Sequence, residues 1–142
     1  MPYPPMMVQP MRDELTSIGF RELKTPEEVD RAVAAASEPM LVVVNSICGC
    51  AAGVARPGVA LSLKNPAAPK TLATVFAGQD IEATARIRSY FEGFPPSSPQ
   101  VAILSNRKVL FMLQRHEIEG RTPDQIAAAL TDAYRKLASP AA

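Results

Sequence analysis

Apolar residues recur along this chain first with a helical period and then with a strand-like one. Met7, Met11, Leu15 and Ile18 are spaced three and four apart, and Gly19 follows as a stop, so a helix is predicted there. Thr25-Pro26-Glu27-Glu28 opens a second helix, with Thr25 as cap, Pro26 in the first turn and Glu28 closing a capping box. Val29, Val33 and Ala36 share its face, and Pro39 ends it. The run Met40–Asn45 has no polar alternation, which predicts a strand buried on both faces, hence a central parallel one. A helix should begin at or near Cys48 and Cys50, with Pro57 kinking or interrupting it.

A loop from Asn65 to Pro69 leads to a second strand, Thr71–Ala77. Asp80 is then expected to cap a helix carrying Ile81, Thr84, Ile87, Arg88 and Phe91, with Gly93 beyond its end. After a proline-rich loop, Phe94 to Pro99, two strands (Gln100–Leu104 and Val109–Leu113) form a hairpin across Ser105–Lys108. Thr122-Pro123-Asp124-Gln125 repeats the capping signal before a last helix facing inward through Ile126, Leu130, Tyr134 and Leu137. The order is two N-terminal helices followed by β-α-β-α-β-β-α. A strand–helix–strand start demands a parallel pair and the hairpin an antiparallel one, so the expected fold is α/β, a central mixed sheet flanked by helices.

Composition narrows the class. At 142 residues, with 47 % hydrophobic and 20 % charged residues, the chain suits a single folded domain. That domain is expected over residues 11–138, between a proline-rich N-terminal arm (1–10) and a short tail (139–142). Fifteen basic residues against fourteen acidic ones argue against a nucleic-acid or membrane-surface partner. No apolar run is long enough to span a bilayer and no secretory signal opens the chain, so a cytoplasmic protein is expected.

The two cysteines, Cys48 and Cys50, flank a single glycine. A disulfide-stapled fold would spread its cysteines, whereas a close pair in a reducing compartment points to redox, catalytic or metal chemistry. The pair falls where a buried strand gives way to a helix, and unpaired N–H groups there favour a thiolate. A disulfide across one residue closes a small ring that should be strained and easily exchanged, and Gly49 best tolerates the turn. Inert cysteines and zinc are the competing readings. Zinc would want four ligands, and the only other soft candidate is His116.

The stretch Val42 to Pro57, containing Asn45-Ser46-Ile47-Cys48-Gly49-Cys50, resembles the active-site segment of the bacilliredoxins. The likeness continues through Pro10–Thr16, Val75–Asp80, Tyr90–Gly93, Pro96–Pro99 and Arg115–Gly120, nearly the whole chain in register. It implies a thioredoxin-like fold and an enzyme, a thiol–disulfide oxidoreductase that removes bacillithiol from S-thiolated client proteins. Cys48 would be the attacking thiolate and Cys50 the resolving or auxiliary thiol, with Asn45 and Gly49 in support. No bound cofactor or metal is implied; bacillithiol or another small thiol is the co-substrate. Pro99 matches the position of a cis-proline facing the cysteines, and the backbone of Ser98 would pair with a client chain.

By the topology of that fold, Arg115 and His116 reach the same edge, where they would favour a thiolate or meet the carboxylates of the small thiol. A solvated surface role stays open for His116, as does a surface or ion-pair role for Arg56. Family members can carry a further cysteine near the chain end; here the end is Ala138-Ser139-Pro140-Ala141-Ala142, which leaves no third thiol for regeneration. Two alternatives stand beside this reading: a general disulfide reductase or isomerase, and a redox-sensing binding module without turnover.

Overall fold

The described residues, 3–36 and 38–138 of this computed structural model, form a mixed α/β arrangement. In chain order its elements are α1 (Pro5–Thr16), β1 (Arg21–Glu22), α2 (Pro26–Ala35), β2 (Met40–Asn45), α3 (Arg56–Ser62), β3 (Thr71–Phe76), α4 (Ile81–Arg88), β4 (Gln100–Ser105), β5 (Lys108–Leu113), α5 (Arg115–Ile118) and α6 (Pro123–Ala138). Residues 139–142, expected as a tail, lie outside the described residues, as do the first two residues of the expected arm.

The unbroken apolar run of β2 takes the position its pattern demands. The sheet order is β1-β3-β2-β4-β5, and every residue of β2 is buried. Leu41 and Val43 join Leu15, Val59, Ile126 and Leu130 in the core on one face. Met40, Val42 and Val44 join Val29, Val33, Ile87 and Phe91 on the other. β1, β3 and β2 run parallel, β4 antiparallel to β2, and β5 antiparallel to β4. Asn45 pairs with Phe76, and Val101 sits between Val43 and Leu113, so β2, β3 and β5 all end at one edge of the sheet.

Local signals hold in several places. Thr25 Oγ1 accepts the Glu28 N–H at 3.2 Å, and Thr122 and Gln125 make a reciprocal capping box at 3.0 and 3.2 Å. The hairpin turns through Asn106 and Arg107, both at positive φ, as a two-residue type I′ turn requires. Ahead of Pro57 the α-helical bonding gives way to a wider turn, while the helix itself runs on without a gap. Gly49 and Cys50 are helical, Ala51–Ala55 form a π-helical turn, and α3 follows directly. Arg56 N–H reaches back five residues to the Ala51 carbonyl, a wider turn placed just before the residue that cannot donate.

Four features depart from the pattern. The helix expected from Met7 begins two residues earlier, at Pro5, inside the proline-rich arm. Pro5 starts α1 where no N–H is required, and Pro10 sits inside it at the loss of one helix bond. Strand β1 is two polar residues long and pairs with β3 through Arg21↔Ala73 and Glu22↔Thr74, too short to leave a periodic signal. The four-residue α5 forms after β5, capped by Gln114. Asp80 precedes α4 but does not cap it with its side chain, because both carboxylate oxygens accept from Arg12, at 2.8 and 2.9 Å. A bidentate charged pair outcompetes a single bond to a backbone N–H.

Candidate active site

The cysteines lie at the sheet edge where β2, β3 and β5 end. Beyond Asn45 the chain turns through Ser46 and Ile47, and Cys48 occupies the cap position of the following helix: its carbonyl accepts from Ala51 N–H at 2.9 Å and from Ala52 N–H at 3.1 Å. Its sulfur takes the place of a capping oxygen, accepting the Cys50 N–H at 3.4 Å. Both cysteines are free thiols and partly buried.

This geometry sets the two sulfurs apart. Burial works against a charge on Cys48. The backbone N–H of Cys50, the Cys50 thiol, the positive charge of Arg115 and the Ala51 N–H outweigh it, and the Cys48 pKa falls below its ordinary value. Cys50 moves the other way. Burial, the bond to Cys48 and the charge on Cys48 raise its pKa, and Glu119 adds to the rise while Arg115 opposes it. Two thiols this close titrate as a pair, and Cys48 is the one that takes the negative charge.

A buried polar floor holds the loop in place. Asn45 Oδ1 accepts the Ser46 N–H and Arg56 Nη1, each at 2.9 Å, and Asn45 Nδ2 donates to the Met11 carbonyl at 3.1 Å. Arg56 Nη1 also donates to the Ser46 carbonyl at 2.9 Å, and Nη2 pairs with Glu14 at 3.2 Å. Ser46 Oγ accepts the Cys48 N–H at 3.1 Å. Arg56 is thus an ion-pair residue and not a surface one, being 3 % exposed, with its Nε lacking a partner. Met11, Glu14 and Arg12 all lie on α1, so that helix is bonded to the floor of the site.

A groove of about 330 Å³ opens beside Cys48, lined also by Tyr3, Ser46, Gly78, Arg88, Ser98 and Arg115. Arg115 pairs with Glu119, and its backbone N–H donates to Ser97 Oγ at 3.2 Å. The Ser98–Pro99 peptide bond is cis; Ser98 faces the groove, and Pro99 is buried without lining it. Of the residues expected here, Asn45, Cys48, Ser98 and Arg115 come together with Cys50 and Gly49 alongside. His116 does not join them: it is exposed on α5 and outside the groove lining. Gly49 shows no positive φ, and a Cβ built on it would meet nothing within 4 Å, so the dithiol form does not require glycine there.

Sequence reasoning missed Tyr3, Arg88 and the pairing of Arg56 with Glu14. Arg88 did leave a signal, a charge at helical spacing from Ile81, Thr84 and Phe91 on what reads as the apolar face of α4. Among the described residues, no three His, Cys, Asp or Glu side chains cluster to hold a metal ion, and no helix is long and apolar enough to cross a membrane.

Known proteins resemble this chain over nearly its whole length. A family model described as disulphide isomerase matches residues 3–138. A bacilliredoxin of Koribacter versatilis is 51 % identical over 132 residues, covering 93 % of this chain and 91 % of the relative. A bacilliredoxin of Bacillus cereus is 51 % identical over 130 residues, 92 % and 90 % of the two chains. One of Salinibacter ruber is 52 % identical over 136 residues, 94 % of this chain and 80 % of that one. The chain therefore belongs to the disulphide isomerase family that this model describes, and within it to the bacilliredoxins.

Proposed function

We propose that this protein is a thiol–disulfide oxidoreductase that removes bacillithiol, or a similar small thiol, from protein mixed disulfides. The observation that carries the reading is the unequal pair at the helix start, Cys48 with its pKa lowered and Cys50 with its pKa raised, beside an open groove. The Cys48 thiolate attacks the small thiol's sulfur in the mixed disulfide. A Cys48–S–S–R bond forms, the client's S–S bond breaks, and the client sulfur leaves as a thiolate that takes up a proton. The client cysteine is reduced and Cys48 oxidised, so electrons balance without a further reagent.

Cys50, kept protonated, donates a hydrogen bond to the Cys48 sulfur in the resting state. Once deprotonated it attacks Cys48, expels the small thiol and closes the Cys48–Cys50 disulfide; a second small thiol can instead take the adduct away as its own disulfide. Asn45, with Arg56 beneath it, holds the Cys48 loop, Arg115 favours the thiolate, and the Ser98 backbone offers a client chain its pairing edge. The strand order, with a parallel β3-β2 pair and an antiparallel β4-β5 hairpin, supports a thioredoxin-like assignment of the fold. Free, closely spaced thiols suit a cytoplasmic setting, with S-thiolated proteins as clients.

Incubation with an S-bacillithiolated protein, followed by intact mass, tests the reading. The client is expected to lose its adduct to wild type and to Cys50→Ala, which retains it on Cys48, and to keep it with Cys48→Ser. A client that keeps its adduct with wild type, or loses it unimpaired with Cys48→Ser, would sink the reading. The family description favours disulfide isomerisation as a second reading. A Cys48–Cys50 reduction potential near that of glutaredoxins or above suits exchange of either kind, whereas one as low as thioredoxin's counts against isomerisation.

A further inference from the structure

The groove beside Cys48 is lined by two guanidinium groups, Arg88 and Arg115, and by no carboxylate. Arg115 already has an acidic partner in Glu119. Arg88 has none among the described residues. It is half-buried at the end of α4, and its two bonds run to neutral acceptors, Nε to Gln100 Oε1 at 3.2 Å and Nη2 to the Ser97 carbonyl at 2.5 Å. Among the described residues no acidic side chain pairs with Arg88, and its Nη1 has no protein partner.

The acceptors that hold Arg88 are themselves fixed. Gln100 is fully buried, and its Nε2 donates to Gln114 Oε1 at 2.7 Å. Gln114 Oε1 also accepts from Ser97 Oγ at 2.7 Å, and Gln114 Nε2 donates to the Pro95 carbonyl at 3.0 Å. With the Gln100 amide nitrogen committed to Gln114, its oxygen is turned to Arg88. The C-terminal end of α4 adds a favourable dipole for a cation. A partly desolvated positive charge without a counter-charge is costly, and it becomes useful when a ligand supplies the anion. The volume of the groove suits a small molecule more than a folded partner.

We propose that Arg88 is the anion-binding residue of this site, receiving a carboxylate of the low-molecular-weight thiol whose sulfur is delivered to Cys48. The proposal rests on the mixed-disulfide reading above and names the ligand chemistry of that same groove. The charge on the small thiol then selects which half of the mixed disulfide faces Cys48. The carboxylate-bearing half docks on Arg88, the thiolate attacks the sulfur of that half, and the client sulfur leaves.

Two chromogenic probes test it, the 2-pyridyl mixed disulfide of glutathione and that of glutathione diethyl ester, which differ in whether the carboxylates are masked. Attack by the Cys48 thiolate forms Cys48–S–S–R and releases pyridine-2-thione, whose absorbance gives the rate. Each rate is divided by that of free cysteine with the same probe. Wild type is expected to prefer the acid probe by roughly tenfold, Arg88→Gln to show a ratio near one, and Arg88→Lys to keep a preference of several-fold. Raising the salt concentration should shrink the wild-type ratio.

A ratio near one in wild type overturns the proposal, while bacillithiol transfer to Cys48 can still be observed, so the two ideas fail separately. If Arg88→Gln slows both probes equally and leaves the ratio intact, Arg88 only braces the loop through Ser97 and Gln100, and the proposal is likewise overturned. A ratio abolished by Arg115→Gln and untouched by Arg88→Gln would assign the anion to the other guanidinium and refute it.

Discussion

Arg115 favours the Cys48 thiolate by charge alone, through the same groove that a ligand would enter, and its backbone is bonded to Ser97. The pH dependence of alkylation of Cys48 by iodoacetamide reports this directly. Because the thiol's pKa lies below the ordinary cysteine value, the rate should rise at lower pH than for a free thiol. Arg115→Gln should move that midpoint upward and slow the reaction at neutral pH, since less thiolate is then present. An unmoved midpoint would remove Arg115 from the account. Gly49 makes the complementary point. Its spacing between two cysteines was readable, yet the dithiol form leaves room for a Cβ and ordinary backbone angles. Gly49→Ala should therefore alter the stability of the reduced protein by less than about 0.5 kcal/mol in denaturant unfolding. Its effect should appear in the Cys48–Cys50 potential, where the closed ring constrains the turn. Unfolding of the reduced variant would contradict this.

Between elements, the position of the cysteine-bearing helix is set from behind by α6. A Cβ on Gly58 would lie 2.7 Å from Ile126 Cβ and 3.1 Å from the Pro123 carbonyl. Ile126 is fully buried and cannot swing aside, so α3 and α6 approach closely only because position 58 has no side chain. Gly58→Ala is expected to cost roughly 1–3 kcal/mol by urea unfolding, although alanine is the better helix former. A stabilised variant would show that the two helices separate freely. The sequence predicts a kink or interruption at Pro57. That this would be a π-helical turn, and that Gly58 would face Ile126, depended on a neighbour more than sixty positions away. Strand β1 is of the same kind: Arg21 and Glu22 become a strand only because β3 presents a free edge.

For the molecule as a whole, the half of the core formed by α1, α3 and α6 contains a phenol. Tyr134 is 1 % exposed and shares a 2.8 Å hydrogen bond with Ser62, whose hydroxyl also reaches the Val59 carbonyl at 2.7 Å. Burial pushes the Tyr134 pKa up to about 12, against a slight lowering by Ser62. A pKa raised by folding contributes on the order of 2–3 kcal/mol of stability at pH values below the unfolded pKa of about 10, and that contribution is lost as pH rises through 12. Tyr134→Phe should lower stability near neutrality by about 1 kcal/mol through the lost bond, and flatten the decline between pH 10 and 12 in denaturant titrations. An equally steep decline would place the alkaline sensitivity elsewhere. The same whole-molecule view connects the segment Pro10–Thr16 to the cysteines. Arg12 pairs with Asp80 and Glu22, Glu14 with Arg56, and the Met11 carbonyl with Asn45, so α1 ties the sheet edge to the floor of the site.

The sequence by itself determined the elements whose cause is local. The apolar run of β2 had to be a central strand, Thr25 and Thr122 had to open helices, Pro57 had to disturb one, and Cys48 had to stand where a strand hands over to a helix. Periodicity, capping and missing N–H groups act over a few residues, so they are written in the order of residues. Tertiary structure alone decided what depends on charges and close approaches between distant segments. It drew Asp80 away from its cap to Arg12, buried Arg56 beneath Asn45, set Arg115 in the groove while leaving His116 outside, and brought beside Cys48 an Arg88 that has no acidic partner among the described residues. Those choices follow from which partner sits within a few ångströms, and that distance exists only once the chain has folded.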